Sequence, residues 1–518
     1  MTAWHTLAAC GRQNGCYETI ENRQRKWLLD CLSRNQETHY GRKYRFDTIQ
    51  STEDFRRQVP LANYQDLAET IARMADGEPD VLFKGMPPAF EQTSGTTGGK
   101  KLIPCSGELL GDFRKALLPW LSQTILKHGI VHGSAYFSLS PATRKVSRTS
   151  GGIRVGLNDG EYLGPGVLQA FTEISAVPAW VGEITNIDDW RLTSLYYLVR
   201  DQNLVMLSVW SPTFMLAMLE GLDRQFYQLE KALDQGYALY GRALQSDREA
   251  LNRLRLYQQN NNLKTLWPEL KLVSCWADGW SKTYTRQLKK RIPYAAFEAK
   301  GLLATEAVMT VPDWDGHMRL AADSGFFEFL DSEENAYRAE ELEDGKCYEM
   351  VITNSAGLYR YRIGDHVICR KTDNGGIAFQ LGGRGNLVSD IAGEKLHEQF
   401  VAECVEDIPG FRMLLPEANH KPRYQLVADK TTKYDWPAAL TRLETRLCEN
   451  PCYAYARRLG QLQKPVVRLI ERPLEKYLRS LSIKGTLLGN IKVPALTTES
   501  NWIDFPKESL DENCTDFA

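Results

Sequence analysis

Leu204-Val-Met-Leu-Ser-Val-Trp-Ser-Pro-Thr-Phe214 decides the fold class. Leu204 to Trp210 is an apolar run too short for a helix, and Ser211-Pro212 then supplies an N-cap and a first-turn proline before Phe214 to Leu219. The spacing predicts a buried strand running into a helix. The same grammar returns at Leu270 to Trp276, followed by a polar turn, the helical pattern Lys282 to Arg291 and an extended stretch from Tyr294 to Ala299. Repeated strand-helix-strand units predict an α/β protein with a largely parallel sheet. Such sheets bind ligands beyond the carboxyl ends of their strands, where Trp210, Trp276 and Trp280 fall. Large aromatics are core residues by default, so position alone leaves core and pocket readings open for all three.

Outward from this segment the patterning changes. Thr19 to Asn35 carries Ile20, Trp27, Leu28, Cys31 and Leu32 at helical spacing and predicts an amphipathic helix, as a lid or a core-edge element. Gln225 to Leu256 is charged and helical in period, which predicts an exposed helical excursion. From Met318 to Leu381 short strands alternate with Gly, Asp and Asn, predicting a small antiparallel sheet or barrel. The cluster Gly382-Gly-Arg-Gly385 marks the expected boundary between a large N-terminal part, residues 1–385, and a smaller α+β part, residues 386–518. Within the latter a helix is expected from Glu394 to Val405, with strands near Arg423 to Ala428 and Val466 to Ile470. Glu499 to Ala518 is acidic and aromatic-poor, and is expected to be loosely held.

Bulk properties bound the function. The 518 residues are 43% hydrophobic and 25% charged, enough for a sizeable core and more than one domain. Lys plus Arg number 63 against 65 Asp plus Glu, so no global basic field exists for nucleic acid. Eleven cysteines without a CxxC pair, Cys448 and Cys452 being the nearest approach to ligand spacing, predict reduced thiols and a cytoplasmic protein. Neither an export signal nor an unbroken apolar span is read, and a monomer is expected.

Three motifs point to nucleotide chemistry. Thr93-Ser-Gly-Thr-Thr-Gly-Gly-Lys-Lys101 offers backbone N–H groups, hydroxyls and lysine charge to phosphate oxygens, though its spacing is not that of a Walker A loop. Gly357-Leu-Tyr-Arg-Tyr-Arg-Ile-Gly-Asp365 ends in an aspartate suited to a ribose diol, or equally to capping a hairpin that returns through His366. Gly301-Leu-Leu-Ala-Thr-Glu306 presents a carboxylate suited to Mg²⁺, while a Thr-Glu pair alone is more often a solvated turn. His128 and His132 have metal spacing but no adjacent third ligand, and read as structural or surface histidines.

Taken in order, the Ser-Gly-Thr-Thr-Gly loop, the Ala-Thr-Glu turn and Tyr-Arg-Tyr-Arg-Ile-Gly-Asp resemble the signature of the auxin-responsive acyl-acid amido synthetases, the Gretchen Hagen family of the acyl-adenylating superfamily. Asn35 to Gly41, Val59-Pro60-Leu61, Ser274 to Gly279, Phe326 to Phe329 and Ser389 to Leu396 extend the likeness over nearly the whole chain. The shortened loop and Ala304-Thr305 in place of a serine pair resemble bacterial members.

The resemblance implies α/β sheets with a small β-barrel, followed by a mobile C-terminal domain, with the site between. It implies ATP and Mg²⁺, a carboxylic acid activated as acyl-AMP, and transfer of the acyl group to an amine. Ser94, Gly95, Thr96, Thr97 and Gly98 would wrap the phosphates with Lys101, and Thr96 and Lys101 would share in catalysis. Ala304 and Thr305 would meet adenine, Glu306 would hold Mg²⁺, and Asp365 the ribose. Lys492, two residues before Pro494, would swing onto the acid and α-phosphate as the domain turns about Gly382 to Gly385. The acid pocket is expected near Trp210 and Trp276. Transfer to the thiol of CoA or a carrier protein, or a non-catalytic nucleotide-binding regulator, are the alternatives.

Overall fold

The computed structural model describes residues 2–11, 18–94, 100–138, 147–157, 159–278, 281–373, 375–384, 388–417 and 422–503. The chain forms two compact units: Met1–Gly133, Lys145–Ser175 and Glu298–Gly382 make the first, and Ser134–Arg144, Ala176–Phe297 and Gly383–Ala518 the second. The glycine cluster after Leu381 thus lies where the chain last passes from one unit to the other, while Ala176–Phe297 clusters with the C-terminal residues.

In the second unit the expected parallel sheet is present. Its four strands run Ala296–Ala299, Leu272–Cys275, Leu204–Ser208, Ser134–Phe137, with the last three parallel to one another. Leu272–Cys275 is buried throughout, which explains its unbroken apolar reading. Helix Pro212–Arg224 follows the Leu204 strand with proline in its first turn, as read. Ser211 makes no capping bond, however; its hydroxyl pairs with that of Thr213 at 2.6 Å.

The stretch from Gln225 to Leu256 departs from a bare helical excursion. Helices Phe226–Gln235 and Arg248–Asn260 bury Phe226, Leu229, Leu233, Leu251 and Leu254 in the main core, and a hairpin of Tyr237–Leu239 with Arg242–Leu244 lies between them. Tyr240 and Gly241 turn that hairpin with φ of 47° and 72°.

The C-terminal residues form a three-stranded sheet, Arg412–Glu417, Arg423–Asp429, Val466–Ile470. Its period of two serves two cores: Met413, Leu415 and Val427 join the main core, whereas Leu414, Tyr424 and Leu426 join a smaller one with helices Trp436–Leu447 and Pro451–Arg458. The helix expected from Glu394 begins only at Glu398. The Glu394 carboxylate instead accepts the N–H groups of Ile391 and Ala392 at 2.9 and 2.7 Å. Trp502 and Ile503 are buried, so the start of the acidic end is anchored rather than loose; residues 504–518 lie outside the described residues.

Helix Pro473–Ile483 carries an ionic hub. Glu475 receives Arg224, Arg479 at 3.1 Å and, at 3.7 Å, both Arg191 and Arg472; Arg479 also grips Asp188 at 2.7 and 2.8 Å. Burial, aided by the like charge of Arg224, pulls the Arg191 guanidinium down to about 10.

In the first unit, helix Ile20–Asn35, capped by the Thr19 hydroxyl, is a core-edge element. Its buried Gln24 donates to the carbonyls of Ala322 and Gly325 and accepts from the N–H of Phe327. The small antiparallel sheet or barrel expected from Met318 to Leu381 is present as a five-stranded sheet, ordered Ala336–Tyr337, Phe326–Leu330, Cys347–Thr353, Tyr361–Lys371, Ile377–Arg384. No hairpin turns at Gly364-Asp365. The two strands expected on either side are one, Tyr361–Lys371, and its register against Cys347–Thr353 jumps from Arg362↔Val351 to His366↔Glu349. Ile363, Gly364 and Asp365 therefore bulge opposite Met350 alone.

Candidate active site

Two paired strands carry the two ends of the phosphate-type motif. Ala89–Ser94 pairs antiparallel with Lys100–Cys105, and Ser94↔Lys100 is the last pair. Gly95, Thr96, Thr97 and Gly98 lie outside the described residues, as does the side chain of Ser94. Lys101 is placed: its ammonium sits 5.3 Å from the centre of the Tyr64 ring, and the Tyr64 hydroxyl accepts the N–H of Leu102 at 2.9 Å. Tyr64, which no sequence signal singled out, thereby braces the stem on both counts.

The Ala-Thr-Glu turn is built by close packing. A Cβ on Gly301 would lie 1.8 Å from the Thr310 carbonyl oxygen, so only glycine lets the chain enter here. Leu303 then bridges Val308, the N–H of Ala304 bonds the carbonyl of Ala307 at 2.9 Å, and Asn354 donates to the Glu306 carbonyl at 2.7 Å. Ala304, Thr305 and Glu306 are half-buried at the tip. The Asn354 bond to its carbonyl fixes the backbone of Glu306. One carboxylate so held, joined by phosphate oxygens, is a fitting donor set for Mg²⁺.

Asp365 is carried by the bulge. Gly364, at φ 81°, supplies the left-handed backbone the bulge requires, and Asp365 is 2% exposed. The rest of its motif is structural. Tyr359 donates to the Leu82 carbonyl, and Arg360 lies buried against Glu328, Nε to Oε2 at 3.0 Å, while also donating to the carbonyls of Arg56 and Val59. Arg362 pairs with Glu349 and Glu334. The arginines hold the strand that presents the aspartate.

In the second unit Trp210 and Trp276 stand side by side at the carboxyl ends of neighbouring parallel strands. Their ring centres are 6.1 Å apart at 40°, and the backbone N–H of Trp276 donates to the Trp210 carbonyl at 2.8 Å. Both are half-buried, which distinguishes them from core tryptophans such as Trp190 and Trp267; Trp280 lies outside the described residues. Lys492 reaches the same place, its ammonium 5.2 Å from the Trp276 ring centre. Beyond Trp276, Asp278, within the Ser274 to Gly279 landmark, has its carboxyl pushed up by burial against the opposing pull of Lys282.

The features read as bland stay so. His128 meets Glu298 at 3.2 Å, a carboxylate also bonded by Trp120 and Thr124. Among the described residues the cluster Asp313, Asp315 and His317 is a hairpin turn whose Asp313 carboxylate accepts from Asp315, His317 and Arg319. Burial pushes the Cys31 and Cys105 thiols up to about 12, unsuited to nucleophilic catalysis.

This fold is that of acyl-adenylating ligases. The chain superposes on 2-hydroxyisobutyryl-CoA ligase in its postadenylation state with a TM-score of 0.55 at 12% identity, covering 95% of each chain. The likeness to the GH3.15 acyl acid amido synthetase in complex with 2,4-DB is greater: TM-score 0.81, 20% identity, 96% of this chain and 94% of that one. Residues 14–296 match the GH3 family N-terminal domain and residues 318–381 the GH3 family central domain, so the chain belongs to the GH3 family. Similar curated proteins include indole-3-acetic acid-amido synthetase GH3.4 of Arabidopsis thaliana, 24% identical over 79% of this chain and 74% of the relative. Another is the jasmonoyl-L-amino acid synthetase JAR4 of Nicotiana attenuata, 23% identical over 74% and 72%. The chain is an ATP-using acid-amine ligase of the acyl-adenylating type.

Proposed function

We propose that the chain joins an aryl or medium-chain alkyl carboxylic acid to the amino group of an amino acid or a related amine, through the acyl-adenylate. The observation that carries this reading is Lys492 lying against Trp276 at the carboxyl ends of apolar parallel strands. A cation suited to a carboxylate and a phosphate is there joined to a half-buried aromatic surface suited to the acid's body. In the first step an acid oxygen attacks the α-phosphorus of ATP and pyrophosphate leaves. In the second the amine nitrogen forms the C–N bond, the bond from carbonyl carbon to phosphate oxygen breaks, AMP leaves and the amine gives up a proton.

In this assignment the Ser94, Gly95, Thr96, Thr97 and Gly98 loop and Lys101 hold the phosphates, Ala304 and Thr305 meet adenine, and Asp365 holds the ribose. Glu306 holds Mg²⁺, which when bound neutralises phosphate charge. Trp210 and Trp276 line the acid site, and Lys492 steadies the charge that moves during adenylation. Residues 386–518 turn about Gly382 to Gly385 in this scheme; the turn has to break the grip of Glu475 and Arg479 on Arg191, Arg224 and Asp188. The nine free cysteines among the described residues support a reducing compartment such as the cytoplasm, and no described helix is long and apolar enough to cross a membrane.

The test is a screen of acids for pyrophosphate release, each positive acid then offered amino acids or CoA and the product identified by mass spectrometry. Acid-dependent release followed by an amide supports the assignment. Release independent of acid, or a thioester with no amide, overturns it.

A further inference from the structure

We infer that Trp276 is the positioning residue for Lys492, holding its ammonium on the indole face for adenylate formation. The inference rests on the assignment of Lys492 to that step. Three observations fix the lysine from both ends. Ile491 and Val493 are each 1% exposed and belong to the main core, so the extended chain at Ile491, φ −71° and ψ 124°, turns the side chain between them the other way. Downstream, Ala495 donates to Glu398 at 2.9 Å and its carbonyl accepts from Leu414 at 2.7 Å, while Thr497 donates back to Leu414 at 3.1 Å, so the backbone after Lys492 is tied to the C-terminal sheet and helix beside it. At the far end the ammonium lies 5.2 Å from the Trp276 ring centre.

The backbone that carries the ring is itself held. The Trp276 backbone N–H donates to the Trp210 carbonyl at 2.8 Å and its backbone carbonyl accepts from the Thr285 hydroxyl at 2.8 Å, while the Trp210 ring flanks the indole. A lysine has four rotatable side-chain bonds, and a catalytic one left free spends most of its time away from its target. The indole face replaces part of the water around the ammonium and narrows its rotamers, without supplying a carboxylate that would neutralise it. It also favours the charged form, which is the form adenylation needs. In the reading above, Trp276 lines the acid site; here its ring face belongs to the lysine.

The experiment compares W276L, which removes the ring and keeps apolar bulk, with W276F, which keeps a ring, after thermal melts confirm folding. At saturating acid and ATP, adenylation kcat in W276L is expected to fall about five- to thirtyfold, with W276F recovering most of it. The alkaline limb of the rate should move to lower pH. Competitive labelling with acetic anhydride, read at Lys492 by peptide mass spectrometry, should show its titration midpoint lowered by about half a pH unit or more. Adding W276L to K492A should lower adenylation no further.

A raised KM for the acid with unchanged kcat and an unchanged Lys492 midpoint would assign Trp276 to the acid alone and overturn the inference. A faster W276L would show that the ring holds the lysine back, and would overturn it equally. Absence of acid-dependent adenylation in the unaltered enzyme sinks the functional assignment instead, and the labelling midpoint still reports whether the ring holds the lysine.

Discussion

Replacing Asp365 with asparagine tests the ribose assignment at constant volume. The side chain is 2% exposed, so an alanine would leave a cavity and confuse stability with binding, whereas asparagine keeps the shape and one acceptor oxygen. What it loses is the charge. A hydrogen bond to a charged acceptor contributes about 1.5–3 kcal/mol and one to a neutral acceptor about 0.5–1.5, so the exchange should cost about 1–1.5 kcal/mol and weaken ATP and AMP about five- to tenfold. The bulge offers a second handle on the same quantity. Gly364 sits at φ 81°, and G364A would force an L side chain into that region at about 1–2 kcal/mol, turning Asp365 away with its charge intact. Calorimetric titration of AMP, with the affinity for the acid measured in parallel, reads both variants. Weaker AMP in each, with acid affinity unchanged, is the expected pattern. A folded D365N that binds AMP as tightly as the unaltered enzyme would refute the reasoning, and Asp365 would then be a structural carboxylate of the bulge.

The remaining expectations can be checked with standard assays. Thr96→Val should cut acid-dependent ATP–pyrophosphate exchange by about tenfold or more without lowering the melting temperature; exchange at the original rate removes the loop from the site. Lys492→Ala should lower adenylate formation by about two to three orders of magnitude while transfer from supplied acyl-AMP persists, and equal losses in both half-reactions would count against its role. Trp210→Ala should change the KM of every accepted acid, and an unaltered KM for all of them places the pocket elsewhere. Glu475→Gln should destabilise the chain by about 2–3 kcal/mol at neutral pH, less than the ~3–5 for a fully buried pair because Arg224 and Arg479 are 30% and 19% exposed. Burial raises the Glu475 carboxyl, but Arg191, Arg224 and Arg479 outweigh it and hold the group below the usual glutamate value. Its contribution is therefore complete above that usual value and lost as pH falls through the lowered one, so urea midpoints of the two proteins should converge in acid.

The parallel sheet was legible because buried strands between helices are short, apolar and bounded by turn chemistry; Leu272–Cys275 falls within the run read from Leu270, and Leu204 begins its strand where expected. The hairpin from Tyr237 to Leu244 was hidden by the charges around it, although Gly236 marked its start and Gly241 its turn. Gly364-Asp365 read as a turn because that dipeptide is turn chemistry. Only the pairing of Arg362 with Val351 and of His366 with Glu349 shows a bulge, and no local pattern encodes that register. The ionic hub was invisible for the same reason: Arg224 and Glu475 lie 251 positions apart, and Arg479 and Asp188 lie 291 apart. Of the candidate site, residue types and order were readable, and so was the placing of Trp210 and Trp276 at strand ends. That Lys492 would lie on Trp276 was not, since it depends on how the Ile491 and Val493 side chains dock.

The bulge at Asp365 has an arithmetic that bears on how such a chain can change over generations. From Arg362 to His366 is four steps on one strand, and from Val351 to Glu349 two on its neighbour, so the excess is an even number. Inward and outward sides therefore keep step across it: Tyr361, Val367 and Cys369 are all buried, and Arg362, His366 and Ile368 are not. Loss of a single residue here would turn Val367 and Cys369 toward water and Ile368 toward the core. Loss of two would leave the sheet's interior intact and take the aspartate with it. In such a strand the route to a relative that lacks the aspartate but keeps a sound fold runs through paired deletions, whereas single ones turn core side chains to water.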